Sequence, residues 1–456
     1  MTSQDPRRRR KPGRETPPEY TDEGVDLSKP GMETAVLVAV GLPDDPPAAI
    51  ERSLEELAEL ARTAGAEVVG RFRQRRTRIE GATYIGKGKV EELGEFMREH
   101  GARLLIFDNN LSPAQGRTLE KAIRAKVIDR SELILHIFAI HARTDTAKLQ
   151  VELAQLEYAL PRLRRLWQHL SRLGGGIGTR GPGETQLEVD RRRVRERIDN
   201  LKKALKRIDI SRDVQRRARR SQVTAALVGY TNAGKSTLLN RLAGTTVKAE
   251  DELFSTLDTT SRVVELSRDY RIVLSDTIGF IRKLPHSLIA SFRATLAEVR
   301  EADLLIHVVD ASSGDGEGQI ETVHEVLEEL GVSHKPTILV LNKEDRVEDP
   351  LSLNHLANRY GPALITSAIT GSGVDRLLEE MLREARSLRR VVDLEFPPSA
   401  SAEAARVYRE GEVLERSYRE DRVRVRVRLE VPAIERLRGL GFVAQEEPSP
   451  PGPGTD

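Results

Sequence analysis

Short unbroken apolar runs alternate with stretches of helical spacing over much of the chain. Ala35–Val40 stops at Gly41-Leu42-Pro43, Ile50–Ala64 and Val90–His100 carry apolar residues at helical intervals, and Val68-Val69 and Leu104–Asp108 fit strands. Unbroken apolar strands are those buried on both faces, so this alternation predicts a small α/β domain with a parallel sheet over residues 31–145. The period then changes. Leu149, Leu153, Leu156, Leu160, Leu163 and Leu170 form one heptad seam, and Leu187, Val194, Ile198, Leu201, Leu205 and Ile208 form a second. The two stripes predict an antiparallel helical hairpin over 146–210, its first arm kinked at Pro161. Strand-like runs return at Thr224–Val228, Arg271–Ser275 and Thr337–Leu341. They predict a doubly wound parallel sheet over 222–390, entered by a basic linker at 211–221. The alternating Val423–Leu429 and helical Pro432–Leu437 predict a small α+β domain over 391–445. Residues 1–30 and 446–456 lack periodicity and read as disordered tails.

Composition narrows the class. With 38% hydrophobic and 32% charged residues the chain has enough apolar material for folded cores, and its 456 residues exceed one core. No apolar run reaches membrane-spanning length, and the Arg- and Pro-rich start lacks the apolar region of a secretory signal. There is no Cys, which excludes disulfides, thiolate zinc sites and Cys nucleophiles, and makes the cytoplasm the expected compartment. The net charge of +2 conceals an asymmetry: residues 161–220 hold 19 Lys and Arg against 7 Asp and Glu. A basic block on a mildly acidic body fits contact with a polyanion. Within it, Leu173 to Glu184 contains six glycines, more than a tight turn needs, and predicts a flexible tip able to approach a backbone or phosphate closely.

The strongest chemical signal is Gly229-Tyr230-Thr231-Asn232-Ala233-Gly234-Lys235-Ser236-Thr237 between the strand Thr224–Val228 and the helical Leu238–Ala243. In this strand–loop–helix setting GxxxxGK[ST] is a phosphate-binding loop whose backbone N–H groups curl around phosphate oxygens. Lys235 is expected at the β- and γ-phosphates, and the Ser236 hydroxyl on Mg²⁺. Asp276-Thr277-Ile278-Gly279 ends a strand. Asp276 is expected to hold Mg²⁺ through water, and the Gly279 N–H to sense the γ-phosphate. In the upstream Phe254-Ser255-Thr256-Leu257-Asp258, Thr256 is the preferred switch ligand of Mg²⁺, with Thr260 second. Lys235, Thr256 and Gly279 are thus the candidate catalytic groups.

Base identity comes from Asn342-Lys343-Glu344-Asp345 at the end of a strand. The Asp345 carboxylate can accept from guanine N1–H and its 2-amino group, which adenine cannot offer. Asn342 can meet the opposite edge, and the Lys343 stem can cover the ring. The loop Ser367-Ala368-Ile369 can supply an N–H to guanine O6. Together they predict GTP rather than ATP. Phe280 stands where Ras-like GTPases carry a water-orienting glutamine, so hydrolysis is expected to be slow until a partner completes the site. Asn232 is the candidate ligand for K⁺ beside the phosphates, with a loop-bracing role as the alternative.

These motifs, with Tyr84-Ile-Gly-Lys-Gly-Lys89, the stretch Thr144–Pro161, Gly181-Pro-Gly-Glu-Thr-Gln-Leu-Glu188 and Asp276–His286, closely resemble the HflX GTPases over about residues 35–390. The chain departs from the usual pattern at Thr259, where proline is common. The resemblance implies a cytoplasmic GTPase that binds the ribosome, chiefly the large subunit and its rRNA, and separates stalled or idle ribosomes under stress; a monomer is the expected state. A GTPase of rRNA maturation is the alternative. So is a nucleotide-dependent RNA remodeller with a second site at Gly86-Lys87-Gly88-Lys89.

Overall fold

The computed structural model describes residues 33–163, 182–219, 223–244, 253–254, 260–268, 270–283, 296–348, 350–419 and 422–446. Three sheets organise them.

The first sheet has the order β2-β1-β3-β4, all parallel, from β1 (Glu33–Gly41), β2 (Ala66–Arg75), β3 (Leu104–Phe107) and β4 (Lys126–Asp129). Helices α1 (Pro47–Thr63) and α4 (Arg130–His141) cover one face, and α2 (Lys87–Glu99) and α3 (Pro113–Ile123) the other. The unbroken run in β1 follows from this layering: Ala35, Leu37 and Ala39 enter one core while Val36, Val38 and Val40 enter the opposite one.

Helices α5 (Asp145–Ala159) and α6 (Pro182–Arg219) form the hairpin. The central part of the expected seam is present: Leu149, Leu153, Leu156 and Leu160 pack on Val194, Ile198, Leu201 and Leu205, while Leu170 and the Leu187 side chain lie outside the described residues. Arg197 and Lys202 cross it to Glu152 and Glu157 at 2.7 and 2.8 Å. One expectation changes. In place of a kink at Pro161, α5 closes at Ala159, because proline cannot follow within the hydrogen-bonded ladder. The basic linker is helical over most of its length. Residues up to Arg219 continue the 38-residue α6, since Arg, Gln and Ala are good helix formers. The glycine-rich stretch 174–181 lies outside the described residues, and Pro182 begins α6, where its missing N–H costs nothing.

The second sheet has the order β10-β9-β8-β5-β7-β6. Strands β5 (Thr224–Gly229), β7 (Tyr270–Asp276), β8 (Leu304–Asp310), β9 (Thr337–Asn342) and β10 (Ala363–Ile365) are parallel, as expected. The edge strand β6 (Thr260–Ser267) departs from that pattern by pairing antiparallel with β7, since the short step from Ser267 to Tyr270 permits only a hairpin. Helices α7 (Lys235–Leu242), α8 (Ala297–Glu301), α9 (Gly316–Glu329), α10 (Pro350–Tyr360) and α11 (Val374–Ser387) complete the unit.

The third sheet is antiparallel, in the order β12-β13-β11-β14, from β11 (Arg389–Phe396), β12 (Glu412–Arg419), β13 (Arg422–Glu430) and β14 (Val443–Glu446). With α12 (Ser401–Glu410) and α13 (Val431–Gly439) it has the β-α-β-β-α-β order of a ferredoxin-like fold. Val425, Val427 and Leu429 of β13 face the helices, which leaves the intervening arginines on the open face.

The first two units share one core. Leu57 of α1 and Phe138 of α4 belong to the same buried cluster as Tyr230, Phe254, Ile278 and Phe280 of the second. Among the described residues, no helix is long and apolar enough to cross a membrane.

Candidate nucleotide site

The site forms where β5 runs through a glycine-rich turn into α7, beside the ends of β7, β8 and β9. The turn depends on its glycines. Gly229 has φ +154°, and a Cβ there would sit 2.1 Å from the Val308 carbonyl oxygen. Gly234 has φ +91°, and its Cβ would strike the Asn342 amide nitrogen at 2.3 Å.

Lys235 opens α7 and is buried, its ammonium donating to the Gly229 and Tyr230 carbonyls at 3.1 and 2.8 Å. Burial pushes this ammonium down to about 8, with Lys343 adding to the shift and Asp276 opposing it. Ser236 Oγ donates to Asp276 Oδ2 at 2.6 Å. This places two hard oxygen ligands side by side at the helix N-terminus, a donor set that suits Mg²⁺. Asn232 has φ +59° within the turn, and Thr277 is tied inward to the Leu227 carbonyl at 2.6 Å. Gly279 passes so close to Thr231 that a Cβ would meet its Cα at 2.6 Å. Phe280 is buried, its N–H donating to the Gly229 carbonyl at 3.1 Å and its carbonyl accepting from Thr231 N–H at 2.7 Å. Its ring belongs to the core and cannot orient water.

The structure brings the base-reading candidates together. Asp345 Oδ1 accepts from the Ser367 hydroxyl at 2.5 Å. Lys343, at φ +66°, pairs with Asp310 at 2.8 Å. Asn342 is buried and ties the two loops together: its amide donates to the Ala233 carbonyl at 2.9 Å, and its oxygen accepts from the Ala368 N–H at 3.0 Å. A buried amide satisfies its donors and acceptor wherever backbone partners are nearest, and here they are the phosphate loop and the base loop. Glu344 accepts from Ser372 Oγ at 2.7 Å, and the Ile369 side chain is exposed. Phe254 is buried, its N–H donating to Thr231 Oγ1 at 3.0 Å. Ser255, Thr256, Leu257, Asp258 and Thr259 lie outside the described residues, and Thr260 begins β6.

Sequence reasoning missed a second layer. Tyr230 turns its ring away from the phosphate loop and donates its hydroxyl to Glu56 of α1, while accepting from the Arg282 N–H at 2.9 Å. Glu56 also pairs with Arg130, which is fully buried and donates to Asp108 Oδ1 at 2.6 Å. Asp108 takes a further bond from Ser53 at 2.8 Å and an ion pair from Lys283. Burial alone would raise Asp108; Arg130 and Lys283 hold it below the ordinary carboxylate range. Asp315 joins Arg282 to Arg52, and Phe138 meets Phe254 edge-on at 4.7 Å. No local pattern marks these residues, because their partners lie as far apart in sequence as Arg52 and Asp315. The Gly86–Lys89 motif contributes a helix start: Gly86 N–H donates to Gln74 at 3.1 Å and Lys89 pairs with Glu92.

Comparison with known proteins identifies the family. Three family models match, described as GTP-binding GTPase N-terminal over residues 51–139, GTP-binding GTPase Middle Region over 141–219 and 50S ribosome-binding GTPase over 224–343. The GTPase HflX of Caldanaerobacter subterraneus subsp. tengcongensis is 47% identical over 411 residues, covering 90% of this chain and 94% of that one. The GTPase HflX of Escherichia coli is 41% identical, covering 91% and 97%. Among solved structures, a GTP-binding protein from Sulfolobus solfataricus in complex with GDP aligns over 78% of this chain at 26% identity and a TM-score of 0.41. With a phosphate loop, an Asn-Lys-Glu-Asp base motif and full-length relatives of this similarity, the chain belongs to the HflX family of GTPases and is a GTP hydrolase.

Proposed function

We propose that the protein is a GTP-timed factor that engages the large ribosomal subunit through its helical hairpin and separates ribosomes under stress, working in the cytoplasm as a monomer. The observation that carries this reading is α6. Its exposed arginines and lysines project from the hairpin, and its C-terminal end at Arg219 lies five residues before β5. A helix that presents cations to a phosphate backbone and leads directly into the nucleotide strand suits rRNA contact coupled to nucleotide state. The match of residues 224–343 to a family described as a 50S ribosome-binding GTPase supports the same target.

In the nucleotide site, Lys235 meets the β- and γ-phosphates, and Ser236 with Asp276 would hold Mg²⁺, assisted by Thr256 in the triphosphate state. The metal would neutralise charge on the phosphate oxygens. Asp345 accepts from guanine N1–H and the 2-amino group, beneath a loop set by Ser367. The Gly279 N–H reports the γ-phosphate. Because Phe280 is part of the core, hydrolysis is slow until the ribosomal subunit supplies the missing group, with Asn232 holding K⁺ beside the phosphates.

The decisive experiment measures GTP turnover with and without purified large subunits, together with sedimentation of intact ribosomes. Stimulated turnover with loss of intact particles is expected. Stimulation without splitting favours a role in rRNA maturation, and no response to subunits ends the ribosomal reading. Equal turnover in KCl and NaCl would remove the K⁺ assignment.

A further inference from the structure

Arg241 occupies the last turn of α7, six residues beyond Lys235, and lies outside every motif that identifies the nucleotide site. An arginine there ordinarily faces the carbonyls of its own helix, where the macrodipole favours a cation. The Arg241 donors go elsewhere. Its Nε donates to the Ala368 carbonyl at 3.0 Å, and Nη2 donates to the Ile369 carbonyl, in a loop more than 120 positions away in sequence. The guanidinium also lies against the turn at Gly371, where a Cβ would meet its Cζ at 3.6 Å.

The consequence follows from peptide geometry. A trans peptide points its C=O and N–H in opposite directions, so holding the Ala368 carbonyl toward α7 fixes the Ile369 N–H on the far side of the same plane. Holding the Ile369 carbonyl does the same for Thr370, whose N–H donates to Ser367 Oγ at 3.1 Å. From the other side, Asn342 accepts from the Ala368 N–H and Ser367 donates to Asp345. The base loop is therefore clamped twice, once by the strand that carries the Asn-Lys-Glu-Asp motif and once by the phosphate-loop helix.

We propose that Arg241 is a positioning residue for guanine: it orients the Ser367–Ile369 loop toward the base carbonyl and links that loop to the helix that begins at the phosphates. This inference rests on the reading that Asp345 and the Ser367–Ile369 loop take the base. Lys does not substitute fully, because two carbonyls on adjacent residues call for the planar fork of a guanidinium.

The test uses the full chain and stopped-flow release of a fluorescent GDP analogue. Arg241→Met keeps the stem and removes the donors. It is expected to speed release about fivefold, the effect of losing roughly one net hydrogen bond. KM for GTP should rise in step, with kcat at saturation within about twofold. Arg241→Lys should fall between wild type and Met. The weakening should be shared by GDP and inosine diphosphate, which both carry O6, and absent for 2-aminopurine riboside diphosphate, which lacks it. Release from Arg241→Met within twofold of wild type overturns the inference. Equal weakening of the 2-aminopurine nucleotide also overturns it, since Arg241 would then support the phosphate loop alone. If Arg241→Met does not fold, an Arg241→Lys release rate equal to wild type overturns it. The underlying reading has its own control: Asp345→Asn should admit xanthosine nucleotides, and failure there removes the base site whatever Arg241 does.

Discussion

The two parallel sheets end in crevices of opposite kinds. In open α/β sheets ligands enter beyond the C-terminal strand ends, where strand order reverses. In the second sheet that place holds a glycine turn, whose backbone leaves room for phosphate oxygens. In the first sheet the equivalent strand ends carry Asp108 and Asp129, and Arg130 fills the space between Asp108 and Glu56. The ends of parallel strands thus give a ligand site in one unit and a charged latch in the other. The difference lies in a few residues at the strand ends: glycines expose N–H groups, whereas carboxylates beside an arginine satisfy one another. The latch then docks on the site, through Glu56 to Tyr230 and Asp108 to Lys283.

The comparison can be broken most sharply at Arg130. Arg130→Ala leaves Asp108 and Glu56 without their buried cation, and a loss of roughly 3–5 kcal/mol in unfolding free energy is expected from chemical denaturation. An unchanged midpoint would mean that the latch contributes nothing to the fold.

Lys283→Met is the next test, because it removes the Asp108 link between latch and site while leaving Arg130 and the Tyr230–Glu56 bond in place. The Lys283 ammonium is partly exposed, so a loss of about 1 kcal/mol or less is expected. A loss as large as that of Arg130→Ala would show that the two units fold only together.

The nucleotide crevice has a pH signature of its own. Lys235 without nucleotide titrates near 8, and an anionic phosphate raises that value on binding, so binding takes up a proton above pH 8. GTP affinity should hold below pH 8 and fall up to about tenfold for each further pH unit. Calorimetry in buffers of different ionisation enthalpy reads the proton directly, and a proton count of zero at pH 8.5 refutes the assignment.

A further pH effect belongs to Glu132 in the first turn of α4. Burial pushes its carboxyl up to about 7 from an ordinary 4.5, with Asp129 adding and Lys126 and Arg162 opposing. The folded state therefore holds this proton more tightly than the unfolded chain. The stability it contributes is complete below pH 4.5 and is lost as pH rises to about 7. Glu132→Gln should raise the melting temperature relative to wild type at pH 8 and leave it nearly unchanged at pH 4. Equal effects at both values would show that the carboxyl does not titrate in that window.

Much of the site was legible in the chain because its chemistry is local. Gly229 to Ser236, Asp276 and Asn342 to Asp345 sit at fixed offsets from apolar strands, and each offset has a physical reason. The heptad seam of the hairpin was legible for the same reason, since Leu153 and Ile198 face each other at a helical period. The bonds of Asn342 to the Ala233 carbonyl and the Ala368 N–H were not legible, because they join loops that only the packed sheet brings together. The end of α5 before Pro161 was not legible, because a proline can kink a helix or end it and the surrounding packing decides which.

The sequence by itself determined that a phosphate loop, a guanine-reading motif and a basic helix occur in this order, because backbone geometry and periodic burial operate over a few residues. The tertiary structure alone decided that Tyr230 answers to Glu56, Lys283 to Asp108 and Arg241 to the Ala368 carbonyl. These contacts join positions 127 to 175 residues apart, and at such separations which groups meet is set by how the sheets pack.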